Sequence, residues 1–555
     1  MTIPEARLNR CIARILLSLS FLLCAGAVGL AAGLSGLMAD EPGPDLVDYS
    51  KIPELRWQGP GGPGTYEDYV AGRQTGPFEA RRIDVGGSRG GRGATAADKV
   101  LVLVNSSLQP SIQGKLDTYV IDVERQGYNL ELYTCTSGTA EDLKSFIMSH
   151  ATNLVGCVFV GDLPAAWYDD NGDRFPCDLF FMDLDGSWVD TNSDGRYDSH
   201  TNGAGDEAPE IFVGRIDASR ITYRSELDLM NDYFDKLHEY YAGNLTQTRH
   251  GLTYTEDDWS GFYDICNDIR FAYDSYEVIK APNTDRNDYT NTRLTDGAYE
   301  YVQLACHSYS GGHAFTRGGW LYSSEVYNIP PQALFYNLFA CSASLFTDNN
   351  CLGAVYVFND SLTALTTIGS TKSGSMLVFD KFYKPLGEGE PYGVAFKEWF
   401  EALAPYSASE ISWHYGMTVL GDPMVNPCGF EPYPVVADAK INGMDGPLNL
   451  FSGQPVTFTI SLDPGDQAGV AHDWWVFAQR NPPSNRPWYW KYPGTWKASW
   501  TPIRAYAGGL LHINDFQVAS SNSLANGDWE FTFGVDTLNN LFEATHHDVV
   551  EVTIF

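Results

Sequence analysis

The chain has 555 residues, of which 44% are hydrophobic and 14% aromatic, so it can bury a large core spread over several domains. This balance excludes collagen-like, coiled-coil and wholly disordered proteins. The net charge is −34, from 70 acidic against 36 basic residues. A surface this acidic repels phosphate backbones, so we expect no nucleic-acid partner. It favours divalent cations or basic peptides, or it serves solubility alone.

The first 39 residues have the pattern of an export signal. Basic residues precede an apolar run from Ile15 to Leu37, and Ala39 stands at a suitable cleavage point. The run is also long enough for an uncleaved anchor, which is the one membrane contact we expect. The sequence therefore predicts a secreted, extracellular or cell-surface protein.

Residues 40–97 are rich in glycine, proline and charge, and we interpret them as a linker or a pro-segment. Gly86 to Gly90 match the pattern G-x-S-x-G. A nucleophile elbow needs a strand before this pattern and a helix after it, and the sequence predicts neither.

Residues 98–428 alternate short apolar runs with helical patterns. Strands are predicted at 100–104, 130–134, 155–160, 210–215, 252–255, 276–279, 301–305, 334–340 and 362–369. Helices are predicted at 111–126, from Thr139 with Asp142 in a capping position, along the face of Leu227, Met230, Phe234, Leu237 and Tyr241, and at 262–273. Such alternation is typical of a mostly parallel sheet flanked by helices, here in two halves, 98–217 and 218–428.

Residues 429–555 lack helical periodicity, and their apolar runs alternate between turn residues. They predict an all-β, immunoglobulin-like sandwich. Its tryptophans, such as Trp474, Trp475 and Trp490, form either a binding surface or, as is more common, part of the core.

Two predicted strands end in reactive residues. The strand at 301–305 leads to His307, and the strand at 334–340 leads to Cys341; small residues follow both. Functional groups in α/β sheets gather at the carboxyl ends of strands. A cysteine and a histidine placed there can perform nucleophilic acyl transfer, with backbone N–H groups holding the oxyanion. Taken alone, the pattern equally fits a buried cysteine and an ordinary loop histidine.

Residues 190–198 have the spacing of a calcium-binding loop. The candidate ligands are Asp190, Asn192, Asp194, the carbonyl of Arg196 and Asp198, with a glycine at the sixth position. Position 12 is Thr201 rather than glutamate, so Glu207 or Glu210 would complete the shell. We predict a structural Ca²⁺ here and no organic cofactor; the alternative is a polar turn. Asp169, Asp170 and Asp173 form a weaker acidic cluster.

Six segments occur in a fixed order between residues 98 and 428. They are Val158–Pro164, Pro209–Arg215, the strand ending in His307, Phe339–Cys341 with Cys351 beyond it, Thr367–Thr371 and Val419–Pro423. As an ordered set they resemble the gingipain family of secreted bacterial cysteine peptidases, in the caspase-like clan. The resemblance implies a caspase-like fold and a protein or peptide substrate.

By position, the resemblance makes Cys341 the nucleophile and His307 the base of a dyad. The backbone N–H groups of Ser308 and Cys341 would form the oxyanion hole, although the family usually has glycine where Ser308 stands. Acidic residues follow the strand at 252–255, and Glu256 and Asp257 are the candidates to orient the histidine. His313 is a second, weaker candidate for the base.

The family's preference for arginine or lysine does not carry over, because residues 371–376 contain no aromatic residue. The main prediction is a cysteine endopeptidase. A non-catalytic surface or adhesion protein with the same fold is the alternative. A glycosidase built on the acidic region is a weaker third, because those acids have calcium spacing.

Overall fold

The computed structural model describes residues 46–73, 76–84, 98–359, 363–427, 435–467, 469–480, 487–492, 495–543 and 545–555. The predicted export signal and the G-x-S-x-G segment lie outside these residues. Within them, no helix is both long and apolar enough to cross a bilayer.

The described residues up to 427 form eighteen strands. In chain order they are β1 (Ala80–Arg82), β2 (Lys99–Asn105), β3 (Asn129–Cys135), β4 (Leu154–Val160), β5 (Trp167–Asp170), β6 (Asp173–Pro176), β7 (Ser187–Val189), β8 (Ser199–Thr201), β9 (Phe212–Ile216), β10 (Gly251–Thr255), β11 (Tyr276–Lys280), β12 (Tyr301–Ala305), β13 (His307–Tyr309), β14 (Gly312–Phe315), β15 (Gly319–Tyr322), β16 (Phe335–Phe339), β17 (Thr366–Ser370) and β18 (Met417–Gly421).

Eleven of these strands form one central sheet in the order β1-β3-β2-β4-β9-β18-β17-β16-β12-β10-β11. Its pairs are parallel except β1 with β3 and β17 with β18. The predicted mostly parallel sheet is confirmed. The consequence for function is that the strands of each half end at a shared edge.

Helices flank this sheet. In chain order they are α1 (Tyr66–Gly72), α2 (Gln109–Glu124), α3 (Ala140–Met148), α4 (Leu179–Met182), α5 (Glu226–Tyr241), α6 (Tyr263–Asn267), α7 (Arg286–Asp288), α8 (Ser323–Asn328), α9 (Leu352–Val357), α10 (Asp380–Gly387), α11 (Tyr392–Glu401) and α12 (Ala408–His414). Thr139 and Asp142 form a capping box at the start of α3, as predicted. The predicted apolar face of α5 is buried except for Leu227, which lies in the first turn.

Two predicted elements differ from the structure. The helix expected at 262–273 ends at Asn267 and continues as a 3₁₀ turn. A continuing helix would use the carbonyls of Ile265 and Cys266 as hydrogen-bond acceptors. Here the side chains of Gln303 and Thr253 donate to them. The strand predicted at 362–369 runs from Thr366 to Ser370 instead.

The described part of the predicted linker is structured. It contains a 3₁₀ turn at Tyr49–Lys51, the helix α1 and the edge strand β1. The side chains of Leu55, Tyr69 and Ile83 are buried in the core of the α/β domain. Composition missed this because the segment is extended and its apolar residues follow no helical or strand period.

The C-terminal region is a β domain of two sheets. Its strands are β19 (Val436–Ile441), β20 (Leu448–Leu450), β21 (Val456–Asp463), β22 (Ala471–Arg480), β23 (Trp488–Tyr492), β24 (Thr495–Ser499), β25 (Tyr506–Gly509), β26 (Ile513–Ser521), β27 (Gly527–Thr537) and β28 (His546–Ile554). One sheet has the order β19-β21-β26, and the other has the order β20-β28-β27-β22-β23-β24, with β25 also paired to β22. Trp474 belongs to the core between them, and Trp475 and Trp490 form a second buried cluster, so these aromatic residues pack inside the domain.

Candidate active site

The strands β12 and β16 place the two candidate catalytic residues at one edge of the sheet. They are adjacent, parallel and in register, with Ala305 paired to Phe339. Cys341 therefore leaves the sheet beside His307. The next residue, Ser342, has a φ of 52°, a conformation that L residues rarely adopt. Its N–H donates to the carbonyl of Lys372 at 2.8 Å, which holds this strained turn in place.

Ser308 contacts Cys341 in two ways. Its hydroxyl donates to the Cys341 carbonyl at 2.5 Å. Its backbone N–H is directed at the Cys341 thiol. Burial raises the pKa of Cys341 to about 12, and the N–H groups of Ser308 and of Cys341 itself act in the opposite direction. The two backbone groups predicted to form the oxyanion hole thus both face the sulfur.

His307 is held by one ring nitrogen and leaves the other available. Its Nε2 lies 2.7 Å from a carboxylate oxygen of Asp258. Its ring packs edge-on against Trp259, with centroids 4.5 Å apart. Nδ1 is buried and has no hydrogen-bond partner among the described residues. Nδ1 is therefore the nitrogen that can exchange a proton with a substrate or a thiol.

The acidic residue that contacts His307 is Asp258, rather than Glu256 or Asp257, which were the candidates from the sequence. Glu256 is buried, and its carboxylate accepts from the N–H of Thr316 at 2.8 Å. Asp257 is exposed and begins the 3₁₀ turn that ends at Trp259. This turn brings Asp258 and Trp259 onto the imidazole. The sequence showed the run of acids, but choosing among them requires the geometry of the turn.

His313 cannot serve as the base. It is fully buried, and its Nδ1 lies 3.3 Å from the sulfur of Cys306. Burial lowers its pKa to about 3, so the ring stays neutral.

The predicted calcium loop makes hydrogen bonds to itself. The carboxylate of Asp190 accepts from the N–H groups of Asp194 and Gly195, and the amide oxygen of Asn192 also accepts from Asp194. Asp198 accepts from the N–H and the hydroxyl of Thr191. Each of these oxygens has a second lone pair that a cation could use, so the calcium site stays a prediction.

The cations around this loop are protein side chains. The guanidinium of Arg196 pairs with Asp194 and, at 2.9 Å, with Glu67. In the weaker acidic cluster, Asp169 pairs with Arg174 and Asp173 pairs with Lys372. Among the described residues, the carboxylates that do converge, within 4.8 Å, belong to Asp183, Asp185 and Glu210. Glu210, one of the residues expected to complete the shell, thus lies in a different group.

Two polar residues from the six segments that resemble the gingipain family make buried contacts within the fold. Arg215 forms a buried ion pair with Asp178 at 2.7 Å, and Asp178 also accepts from Thr418. Asp422 is buried and accepts from the hydroxyls of Tyr119 and Tyr241. These polar groups tie helices and strands together away from Cys341.

Comparison with known proteins identifies the family of this chain. A family model described as Peptidase family C25 matches residues 133–428, which is more than half of the chain. A solved structure titled "Structure of Protease" is 14% identical, covers 82% of this chain and 97% of its own, and has a TM-score of 0.43, too low to carry an argument. No curated protein matches. The family match confirms the resemblance seen in the sequence: the chain belongs to peptidase family C25, and it is a cysteine peptidase.

Proposed function

We propose that the protein is a secreted cysteine endopeptidase in which Cys341 is the nucleophile and His307 the base. The observation that carries this proposal is the register of β12 and β16, which end side by side and lead to His307 and Cys341, together with the Ser308 N–H directed at the thiol. Secretion rests on the basic and apolar pattern of residues 1–39.

Each of the two stages of the reaction needs one proton to move twice. The Cys341 sulfur attacks the carbonyl carbon of the scissile peptide bond as its proton passes to Nδ1 of His307. The C–N bond then breaks, the proton goes to the leaving amine, and a thioester remains on Cys341. Water then attacks the thioester and gives one proton to Nδ1 of His307; the C–S bond breaks, the carboxylic acid is released, and His307 passes that proton to the Cys341 sulfur.

The neighbouring residues assist these reaction steps but form no covalent bond to the substrate. Asp258 holds Nε2 of His307 and stabilises the imidazolium while it carries the proton. The N–H groups of Ser308 and Cys341 receive the developing oxyanion. Ser308 needs no glycine-like conformation for this role, because only its backbone N–H takes part.

The test replaces Cys341 with alanine and uses Cys351→Ala as the matched control. Both cysteines are buried, and Cys351 stands at the N-cap of the helix α9. We expect Cys341→Ala to abolish hydrolysis of unfolded casein while Cys351→Ala keeps it. If the Cys341 variant cleaves at the wild-type rate, the assignment is wrong. If neither the wild type nor a variant that opens the site cleaves casein, and a thiol reagent labels Cys341 in neither, the non-catalytic alternative holds.

A further inference from the structure

The N-terminal segment contacts one side of the active site through Tyr49. The Tyr49 hydroxyl lies 3.0 Å from Nε2 of His414, and its ring lies 6.2 Å from that of Trp413. Nδ1 of His414 is in turn 2.9 Å from the carbonyl of Ser375. Tyr49 therefore rests on the wall formed by residues 371–376 and 413–414.

The same segment contacts the opposite side through Trp57 and Gly59. The ring of Trp57 packs edge-on against Tyr309, with centroids 5.4 Å apart. A Cβ on Gly59 would lie 2.2 Å from Cγ of Tyr309, so the backbone here touches the ring. Tyr309 closes the strand β13 that His307 begins. Between Tyr49 and Trp57 the chain must therefore cross the site.

The crossing part is extended, and its side chains alternate. Residues 53–58 have no regular helix or sheet structure. Leu55 is 4% exposed and belongs to the core cluster, whereas the side chains of Glu54 and Arg56 are 74% and 73% exposed. The N–H of Arg56 is directed at the Cys341 thiol. The peptide bond between Leu55 and Arg56 thus lies at the nucleophile, with the leucine side chain turned inward.

We propose that residues 49–59 occupy the substrate cleft of this enzyme as an internal inhibitor, with Leu55 in the pocket for the residue whose carbonyl is attacked. The peptidase accordingly cleaves after aliphatic residues. This inference rests on the proposed function, because it names the substrate class of the same site. It also supports an endopeptidase, since the segment continues on both sides of Cys341.

The charged groups near the proposed pocket favour an aliphatic side chain in the substrate. The charged side chain within 371–376 is Lys372, whose ammonium contacts the carbonyl of Ser412 and the carboxylate of Asp173. Burial lowers the pKa of His414 to about 3, so that ring is neutral. Met376 is fully buried in the same stretch. This stretch thus carries one ammonium, paired with Asp173, and a buried methionine, and a leucine side chain needs no charged partner from it.

The experiment uses the full secreted chain and two fluorogenic peptides. One carries Ile-Pro-Glu-Leu, the sequence of residues 52–55, before the reporter group, and the other carries Ile-Pro-Glu-Arg. We expect the leucine peptide to be hydrolysed at least about 10-fold faster, because an apolar side chain gains free energy on burial in a fitting pocket. Equal rates, or a faster arginine peptide, would overturn the substrate class.

The inhibitory role is tested with Leu55→Asp and Leu55→Ala, and Glu54→Ala is the control at an exposed neighbour. Both Leu55 variants should hydrolyse the leucine peptide several-fold faster than the wild type, and the control should not. An unchanged rate in Leu55→Ala, with an unchanged melting temperature, would overturn the inhibitory segment. Loss of all hydrolysis in every variant, with no labelling of Cys341 by a leucyl chloromethyl ketone, would overturn the proposed function itself.

Discussion

The two halves of the central sheet use their strand ends differently. In the first half, Asn105 donates to the carbonyl of Asp162 at 2.7 Å, Arg73 pairs with the same aspartate at 2.9 Å, and Arg215 is paired with Asp178. In the second half, Nδ1 of His307 and the hydroxyl of Ser344 are buried without a hydrogen-bond partner among the described residues.

This difference between paired and unpaired polar groups distinguishes residues that stabilise the fold from residues that can react. A polar group that is already paired contributes to folding but has nothing to offer a substrate. A group left unpaired costs free energy in the folded state and can bind or react when a ligand arrives. We therefore expect the reaction at the edge formed by β12 and β16, while an ion pair holds the end of β9. Buried atoms without a partner, such as Trp167 Nε1, occur in the first half as well.

The largest expected effect is a loss of kcat, and it comes from a substitution in the second half. His307→Ala should lower kcat by ~10²–10⁴-fold, because general acid–base assistance is typically of that size. The matched control is His150→Ala in the first half, where the ring packs against Phe146 and Tyr133. We expect that control to keep its activity in a peptide-hydrolysis assay. Equal losses in both variants would remove the distinction between the halves.

The second prediction concerns stability, and it removes a buried ion pair in the first half. Asp178→Ala leaves Arg215 as a buried, unpaired charge, which should lower the free energy of unfolding by about 3–5 kcal/mol in denaturant titration. Replacing both partners, with Asp178→Leu and Arg215→Met, should recover part of this loss, because no buried charge remains. Folded molecules of either variant should keep their kcat. A lower kcat at full folding would show that the pair also acts on the site.

The third prediction sharpens the assignment of the orienting acid. Asp258→Asn should lower kcat by roughly 10–100-fold, since the amide holds the ring but does not stabilise the imidazolium. The effect is smaller than for a buried acid, because the Asp258 side chain is 53% exposed to solvent. Asp257→Asn is the control, one residue away on the same turn. A larger loss in the control would return the role to Asp257.

The smallest expected effect concerns calcium in the first half. If the ion binds only the folded state, a concentration tenfold above Kd stabilises by ~1.4 kcal/mol. Chelation should then lower the melting temperature by a few degrees in calorimetry. Asp190→Ala with Asp194→Ala tests the predicted loop, and Asp185→Asn with Glu210→Gln tests the converging carboxylates. The pair that abolishes the shift identifies the site, and no shift on chelation contradicts the calcium prediction.

The fold was largely predictable because buried parallel strands leave a strong local signal. Runs such as Val100–Val104 are apolar on both faces, and the structure buries all five residues. The candidate cysteine and histidine were predicted for the same reason, since each follows such a run. The caps of helices were also predictable, because Thr139 and Asp142 interact within one turn.

The parts that could not be predicted depend on contacts distant in sequence. Nothing local distinguishes Asp258 from Asp257, because the choice depends on which one a 3₁₀ turn points at a ring 49 positions away. Nothing local shows that Leu55 is buried either, since its neighbours are polar and the segment is held by distant contacts, of Trp57 with Tyr309 and of Tyr49 with His414. Likewise, the acids at 190–198 have calcium spacing, but their hydrogen bonds are set by the folded loop.

The burial of the cysteines also affects how the protein withstands oxidation. All seven cysteines in the described residues are free thiols, and none is more than 1% exposed. Oxidants act on the thiolate and must reach the sulfur, so a buried thiol whose pKa is raised reacts slowly. Once residues 49–59 leave the cleft, the Cys341 sulfur is the one that gains access to water. Exposure to peroxide before that point should therefore spare the enzyme, and the same exposure afterwards should inactivate it through Cys341.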